Sequence, residues 1–87
     1  MAMNRPYPGK ENGMERLKKR IKSARANFNV GYEELADATP WAAFTIEYYL
    51  SGKRDLSDHT RDRFIREINS ALDRIIKSRM LIAMKEA

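Results

Sequence analysis

Basic side chains are the residues of this sequence best suited to bind a ligand. The 87 residues include 17 Lys and Arg against 12 Asp and Glu, a formal net charge of +5 at pH 7. Six of the cations fall within residues 16–25, a segment without any acidic residue. Such a balance attracts polyanions through its long-range field and through the release of condensed counterions. The composition therefore favours a nucleic acid as the partner.

A second group of cations follows residue 52. Lys53 and Arg54 stand in a polar segment, whereas Arg61 and Arg63 fall in the predicted first turn of a helix. Cations at a helix start oppose the helix dipole unless an anion compensates their charge. Neighbouring aspartates such as Asp58 or a DNA phosphate could supply that anion, and both interpretations stay open at this point.

Residues for catalysis or metal binding are sparse. The sequence has no cysteine and a single histidine, His59, which excludes a thiolate zinc site and a histidine pair. It also has no glycine-rich phosphate loop and no serine framed by glycines. We therefore expect a protein that is not an enzyme, with no catalytic residue, no metal and no cofactor, and we interpret His59 as a surface residue.

The same composition bears on cellular location. A chain without cysteine suits a reducing cytoplasm, because its stability cannot depend on disulfides. The longest apolar run, residues 80–84, is far shorter than the roughly 20 residues of a membrane-spanning helix. We expect a cytoplasmic protein that does not enter a membrane.

Hydrophobic periodicity predicts an all-α fold that begins with an amphipathic helix. A capping box of Asn12 and Glu15 predicts where this helix starts, so residues 1–12 are expected to be a flexible basic arm and residues 13–87 one domain. Apolar residues recur in the helix at spacings of three and four. They are Leu17, Ile21, Ala24 and Phe28.

Two short helices are predicted next, and together they span about residues 32–50. The first covers residues 32–38. Thr39 is a suitable N-cap and Pro40 a suitable first residue for the second, which is predicted to run over residues 40–50. A loop then leads to a fourth helix.

The fourth helix is predicted over residues 58–86, with Ser57 as its N-cap. It carries more apolar residues than so small a domain can cover from one side, which predicts a homodimer. The expected fold class is a compact helix-turn-helix bundle of about four helices with an extended C-terminal helix. The residues expected at the dimer contact are Ile75, Ile76, Met80, Ile82 and Met84.

Short motifs in the middle of the chain resemble a known family. Three of them stand in register, namely Leu35-Ala36, Thr45-Ile46 and Gly52-Lys53-Arg54. Together they resemble the lambda-repressor-like helix-turn-helix family of DNA-binding domains. Two further motifs are similar to the segment after the recognition helix in lac-repressor-type domains, and these are Leu56-Ser57 and Thr60-Arg61. The similarity covers roughly residues 16–72.

This resemblance implies a sequence-specific regulator of transcription, repressor-like, that binds double-stranded DNA. The third helix would lie in the major groove. The residues at base edges would then be Ala43, Phe44, Glu47 and Tyr48. Phosphate contacts are expected from Tyr32, Thr45, Lys53, Arg54, Arg61, Arg63, Lys18, Lys19 and Lys22. Because Pro40 stands where the family has a glycine, we expect the turn to tighten over residues 37–39.

A different function remains open because residues 32–50 contain four acidic residues and no Lys or Arg. In this alternative the chain is an adaptor that binds another protein through an aromatic strip of Trp41, Phe44 and Tyr48. The residues expected to face the core are then Ala42, Ile46, Tyr49 and Leu50. For Trp41 itself we expect packing between the second and third helices.

Overall fold

The computed structural model describes residues 9–86, with side chains described from residue 13 onward. These residues form four helices and no strand, which confirms the predicted all-α class with a long C-terminal helix. The helices are α1 (Gly9–Phe28), α2 (Tyr32–Asp37), α3 (Ala43–Leu50) and α4 (Asp58–Glu86). Within the described range no helix combines the length and apolar character needed to cross a membrane.

Helix α1 begins at Gly9, so the prediction that Asn12 caps it is wrong. Asn12 lies inside the helix instead. A capping box contributes only about 1 kcal/mol, and Lys10 and Glu11 are good helix formers that extend the helix past it. The remainder of the predicted arm, residues 1–8, lies outside the described residues.

Helix α1 ends where Asn29 adopts a left-handed backbone conformation with φ of 57°. The amide of Asn29 donates to the carbonyl of Arg25 at 3.1 Å, and the amide of Val30 donates to that of Ala24 at 3.4 Å. The Asn29 bond is the 5→1 bond of the αL cap, for which asparagine is a tolerated alternative to glycine. It turns the chain towards α2.

The core is formed by one stripe from each helix. Helix α1 packs along α4, while α2 contacts both α3 and α4. The predicted stripe on α1 is confirmed, because three of its residues are buried and Phe28 is partly buried. Burial of this apolar surface is the main stabilising contribution to a fold without disulfides. The buried residues are Leu17, Ile21, Ala24, Val30, Leu35, Ile46, Leu50, Phe64, Ile68, Ala71 and Leu72.

The turn between α2 and α3 is longer than predicted. Helix α3 begins at Ala43 and not at Pro40, so neither Thr39 as its N-cap nor a turn tightened over residues 37–39 is correct. The Thr39 hydroxyl instead donates to the Leu35 carbonyl at 2.9 Å and accepts from the Trp41 amide at 3.3 Å. Ala42 occupies the N-cap position and is exposed, which also corrects its expected orientation towards the core.

Trp41 explains why the turn is extended. Its ring makes edge contacts with Tyr49 at 5.6 Å and with Phe64 at 5.5 Å between centroids, and its indole N–H donates to Glu67 Oε1 at 2.8 Å. Trp41 therefore packs between α3 and α4, and not between α2 and α3 as expected. Residues 38–42 are not helical, and these contacts of the indole with α3 and α4 oppose the local preference of Pro40 for a helix start.

Helix α4 begins as predicted. The Ser57 hydroxyl accepts from the Thr60 amide at 3.2 Å, and the Ser57 carbonyl accepts from the Arg61 amide at 2.9 Å. Gly52, with φ of 77°, provides the left-handed residue that redirects the chain after α3. The helix then continues to Glu86.

Candidate nucleic-acid interface

The four residues predicted at base edges share one side of α3, which we call the α3 outer face. It consists of Ala43, Phe44, Glu47 and Tyr48. Ile46 and Leu50 are buried, and Ala43, which precedes them by three and seven residues, is half-buried at the border between this face and the core. Phe44 is 76% exposed and Tyr48 37% exposed, and Glu47 is also exposed. The core therefore leaves this face available for a partner.

Two aromatic rings dominate the α3 outer face. The rings of Phe44 and Tyr48 are nearly parallel, with 11° between their planes and 5.9 Å between their centroids. Their spacing of four residues stacks them on one side of the helix, because helical side chains lean towards the preceding turn. Trp41 belongs to the separate cluster with Tyr49 and Phe64, so the aromatic strip expected from the sequence is reduced to two rings.

A row of cations on α1 lies next to α3. We call it the α1 basic stripe, formed by Lys18, Lys22 and Arg25. Together with Tyr32, Glu47 and the end of α3, these residues line a surface groove of about 380 Å³. The groove joins the first turn of α2 to the edge of the α3 outer face. Its floor includes two core residues, Ile21 and Leu50.

The cations of the α1 basic stripe make few interactions with other described side chains. Lys18 Nζ lies 3.5 Å from Glu15 in an exposed ion pair. Such exposed pairs contribute little to the stability of a fold. The Arg25 guanidinium lies 5.5 Å from the centre of the Tyr32 ring. Lys22 forms no ion pair with any described side chain, and neither does the exposed Lys19. Arg25 was not among the predicted contacts, although its spacing from Lys18 and Lys22 is helical.

The loop after α3 carries a second pair of available cations. Lys53 and Arg54 are exposed, and neither side chain forms an ion pair within the described part of the chain. The loop is connected to α3 through Ser51, whose hydroxyl donates to the Tyr48 carbonyl at 2.6 Å and accepts from the Lys53 amide at 3.3 Å. Its cations are therefore held close to the end of the α3 outer face.

Arg61 and Arg63, the other predicted phosphate contacts, have acceptors inside the chain. Arg61 pairs with Asp58 at 3.0 Å and donates to the Leu56 carbonyl at 3.1 Å. Arg63 pairs with Glu67 at 3.2 Å, and its guanidinium lies 5.7 Å from the Trp41 ring centre. Local acids thus compensate the unfavourable position of these cations near a helix start.

Tyr32 and Thr45, predicted to contact phosphates through their hydroxyl groups, are both half-buried. Tyr32 lines the groove beside the α1 basic stripe. Thr45 follows Phe44 on α3, between the exposed ring and the buried Ile46. The structure thus brings Tyr32 together with the α1 cations and leaves Thr45 at the border between the α3 outer face and the core.

Three further arginines connect α4 to the rest of the fold. Arg20 of α1 contacts Asp73 and donates to Asn69 Oδ1 at 2.7 Å, while Arg74 donates to the Ala38 carbonyl at 3.1 Å. Arg79 pairs with Glu34 of α2 at 2.6 Å. The hydrogen bond to Glu34 raises the pKa of Arg79 above its usual value.

The end of α4 exposes apolar side chains, and we call residues 80–84 the apolar tail. Met80, Leu81 and Ile82 are each about half exposed, and Met84 is 71% exposed. Ala83, Met80 and Met84 also border a groove beside the end of α1. Of the five residues predicted at a dimer contact, Ile75 and Ile76 instead pack against the core of their own chain.

The surface described above therefore combines an exposed α3 outer face, the α1 basic stripe and the cations of the following loop. Its interpretation depends on this geometry and on the sequence motifs. Comparison of the chain with protein-family models, with curated proteins and with solved structures gives no match.

Proposed function

We propose that the chain binds double-stranded DNA in the helix-turn-helix manner and acts as a sequence-specific, repressor-like regulator of transcription in the cytoplasm. The observation that carries this proposal is the position of α3. Its exposed outer face is bordered along α1 by Lys18, Lys22 and Arg25 and, at its C-terminal end, by Lys53 and Arg54. The resemblance of three short motifs to the lambda-repressor-like family supports the same function.

The two sets of residues would have different tasks on DNA. Cations and hydroxyl groups beside α3 would contact phosphates, which fixes orientation without selecting a sequence. On the α3 outer face, Ala43 and Phe44 offer apolar contacts to thymine methyl groups, and Glu47 offers an acceptor to the cytosine amine. Tyr48 offers a hydroxyl at the same face.

The proposal is tested by fluorescence anisotropy with a labelled duplex selected from a random pool. Because phosphate contacts release counterions, log affinity should fall linearly with log salt, by about 0.9 for each phosphate neutralised. Three or more such contacts predict a slope steeper than about −2.7. An affinity that does not change with salt would contradict the proposal.

We also propose that two copies associate through the apolar tail. Met80, Leu81, Ile82 and Met84 have more than half of their surface exposed, and lie on the part of α4 that extends past the core. Two-fold pairing of this segment would cover it, as is usual for homodimers. Pairing would also present two α3 outer faces to successive turns of DNA.

The dimer is tested by sedimentation of Ile82→Glu with Met84→Glu, which should release monomers. The matched control is Ser23→Glu with Ser70→Glu, which adds the same charge at exposed sites outside the tail and should leave the mass unchanged. A monomeric wild type would contradict the dimer, and a dimeric mass for both variants would place the interface outside the apolar tail.

An adaptor that binds another protein is the second candidate function. It is favoured by one observation, the exposed pair of Phe44 and Tyr48 beside the acidic Glu47, since aromatic residues are enriched at protein interfaces. In this candidate, replacing Lys53 and Arg54 would not affect association, whereas Phe44→Ala would abolish it. Salt-insensitive association with a protein would favour the adaptor.

A further inference from the structure

The rings of Phe44 and Tyr48 are arranged in parallel, and a side chain does not need this arrangement to contact the edges of bases in a DNA groove. The two rings are within 11° of parallel. Phe44 remains 76% exposed and Tyr48 37% exposed, so the pair offers a flat aromatic surface that the fold itself does not cover. A nucleic-acid base is a flat ring of similar size, and stacking on an aromatic side chain is available to every base.

We propose that this ring pair stacks on one unpaired base, so that the chain prefers DNA with a bulged base over fully paired duplex. The inference rests on the proposed DNA-binding function and specifies the DNA feature that the α3 outer face selects. In a paired duplex the faces of the bases are covered by their neighbours in the stack, and only their edges are accessible in the grooves. An unpaired base can leave the stack at a lower cost and present its face.

The charges around the ring pair fit a strand that carries such a base. Lys53 and Arg54 follow α3 directly, and Lys22 lies in the groove that Glu47 also lines. None of these three cations has an ion pair within the described part of the chain, so each is available for a phosphate flanking the base. Glu47, next to the rings, disfavours close approach of a phosphate to the stacking surface itself and leaves that surface to the uncharged base.

The experiment measures anisotropy with two labelled duplexes of the same sequence, one fully paired and one with a single unpaired thymine. Stacking on one aromatic side chain changes affinity by about fivefold to 150-fold, so the wild type should bind the bulged duplex at least fivefold more tightly. Phe44→Ala should remove this preference, and Phe44→Trp should retain it. Because Phe44 is exposed, both variants should keep the wild-type Tm.

Lys53→Ala is the matched control, since it should weaken binding to both duplexes by the same factor and leave their ratio unchanged. The inference is overturned if the wild type binds the two duplexes equally, or if Phe44→Ala weakens both by one factor, and in either case DNA binding itself stands. If the wild type shows no salt-dependent binding to either duplex, the proposed function is wrong, and the inference fails with it.

Discussion

Two groups of basic side chains in this molecule differ in what surrounds them. Arg20, Arg61, Arg63, Arg74 and Arg79 each have an acceptor inside the chain. Three cations around α3 differ, since no described side chain forms an ion pair with Lys22, Lys53 or Arg54. The molecule therefore contains internal cations that connect helices and available cations that border the α3 outer face.

The chemistry of the side chains explains why the internal group consists of arginines, whereas Arg54, an arginine in an exposed loop, stays available. The members of the internal group are all arginines, whose planar guanidinium makes several directed hydrogen bonds at once, as Arg20 does to Asn69 and Asp73. Lysine carries a compact, strongly hydrated charge, and it loses more side-chain entropy than arginine for each hydrogen bond that it forms. A net charge of +5 thus does not locate an interface, whereas the partners of each cation do.

The largest effect is expected at the available cations. Lys53→Ala with Arg54→Ala should weaken binding to all duplexes by about tenfold, because two phosphate contacts of roughly 0.5 to 1 kcal/mol each are lost. Titration of several unrelated duplexes measures this. The control, Lys77→Ala with Lys85→Ala on exposed positions of α4, should change affinity less than threefold. A loss confined to one sequence would mean that these cations contact bases.

An internal cation should behave in the opposite way. Arg20→Ala should lower the free energy of unfolding by about 1 kcal/mol, since it removes charge-assisted hydrogen bonds from a partly exposed site. Urea denaturation measures this loss, and Arg66→Ala, at an exposed position of α4, is the control. If Arg20→Ala left stability unchanged but reduced the salt dependence of DNA binding, the division between the two groups would be wrong at this residue.

Arg61 and Arg63 were predicted from the sequence to contact phosphates, but both have acceptors inside the chain. Their pairing with Asp58 and Glu67 predicts that Arg61→Ala and Arg63→Ala each cost less than about 1 kcal/mol of stability. The salt slope of DNA binding should stay unchanged. A slope reduced by about 1 in either variant would assign that arginine to a phosphate.

The smallest effect is expected at Glu47, the acid on the α3 outer face. Glu47→Met removes both the negative charge next to DNA and the oxygen acceptor, and should raise affinity for unrelated duplexes by about two- to threefold. The variant protein should at the same time discriminate less against DNA sites that lack the contacted cytosine. Parallel titration of selected and unrelated duplexes checks both, and an unchanged ratio would remove Glu47 from the base contacts.

Much of the fold could be predicted because it follows from local patterns. The spacing of Leu17, Ile21 and Ala24 identified the buried stripe of α1, and Ser57 identified the start of α4. The exposed side of α3 was also predicted, since Phe44 and Tyr48 lie opposite Ile46 in any helical register. In each case the signal is contained within a few turns of one helix.

The turn between α2 and α3 and the acceptors of the arginine side chains could not be predicted from local patterns. Trp41 is held by Phe64 and Glu67, residues on another helix, and this contact delays the start of α3. Arg20 and Arg79 find their acceptors 45 to 53 residues away in sequence. No local pattern reports such distances, so internal and available cations are indistinguishable until the helices are packed.

We propose that the available cations around α3 form one DNA-contacting surface. The most direct test of this proposal is the slope of log affinity against log salt for the wild type and two triple variants. Replacing Lys22, Lys53 and Arg54 by alanine should make the slope shallower by about 2.7. Replacing Arg66, Lys77 and Lys85 on α4 should change it by less than about 1. Equal changes in the two variants would contradict the claim, because binding would then depend on total charge and not on this surface.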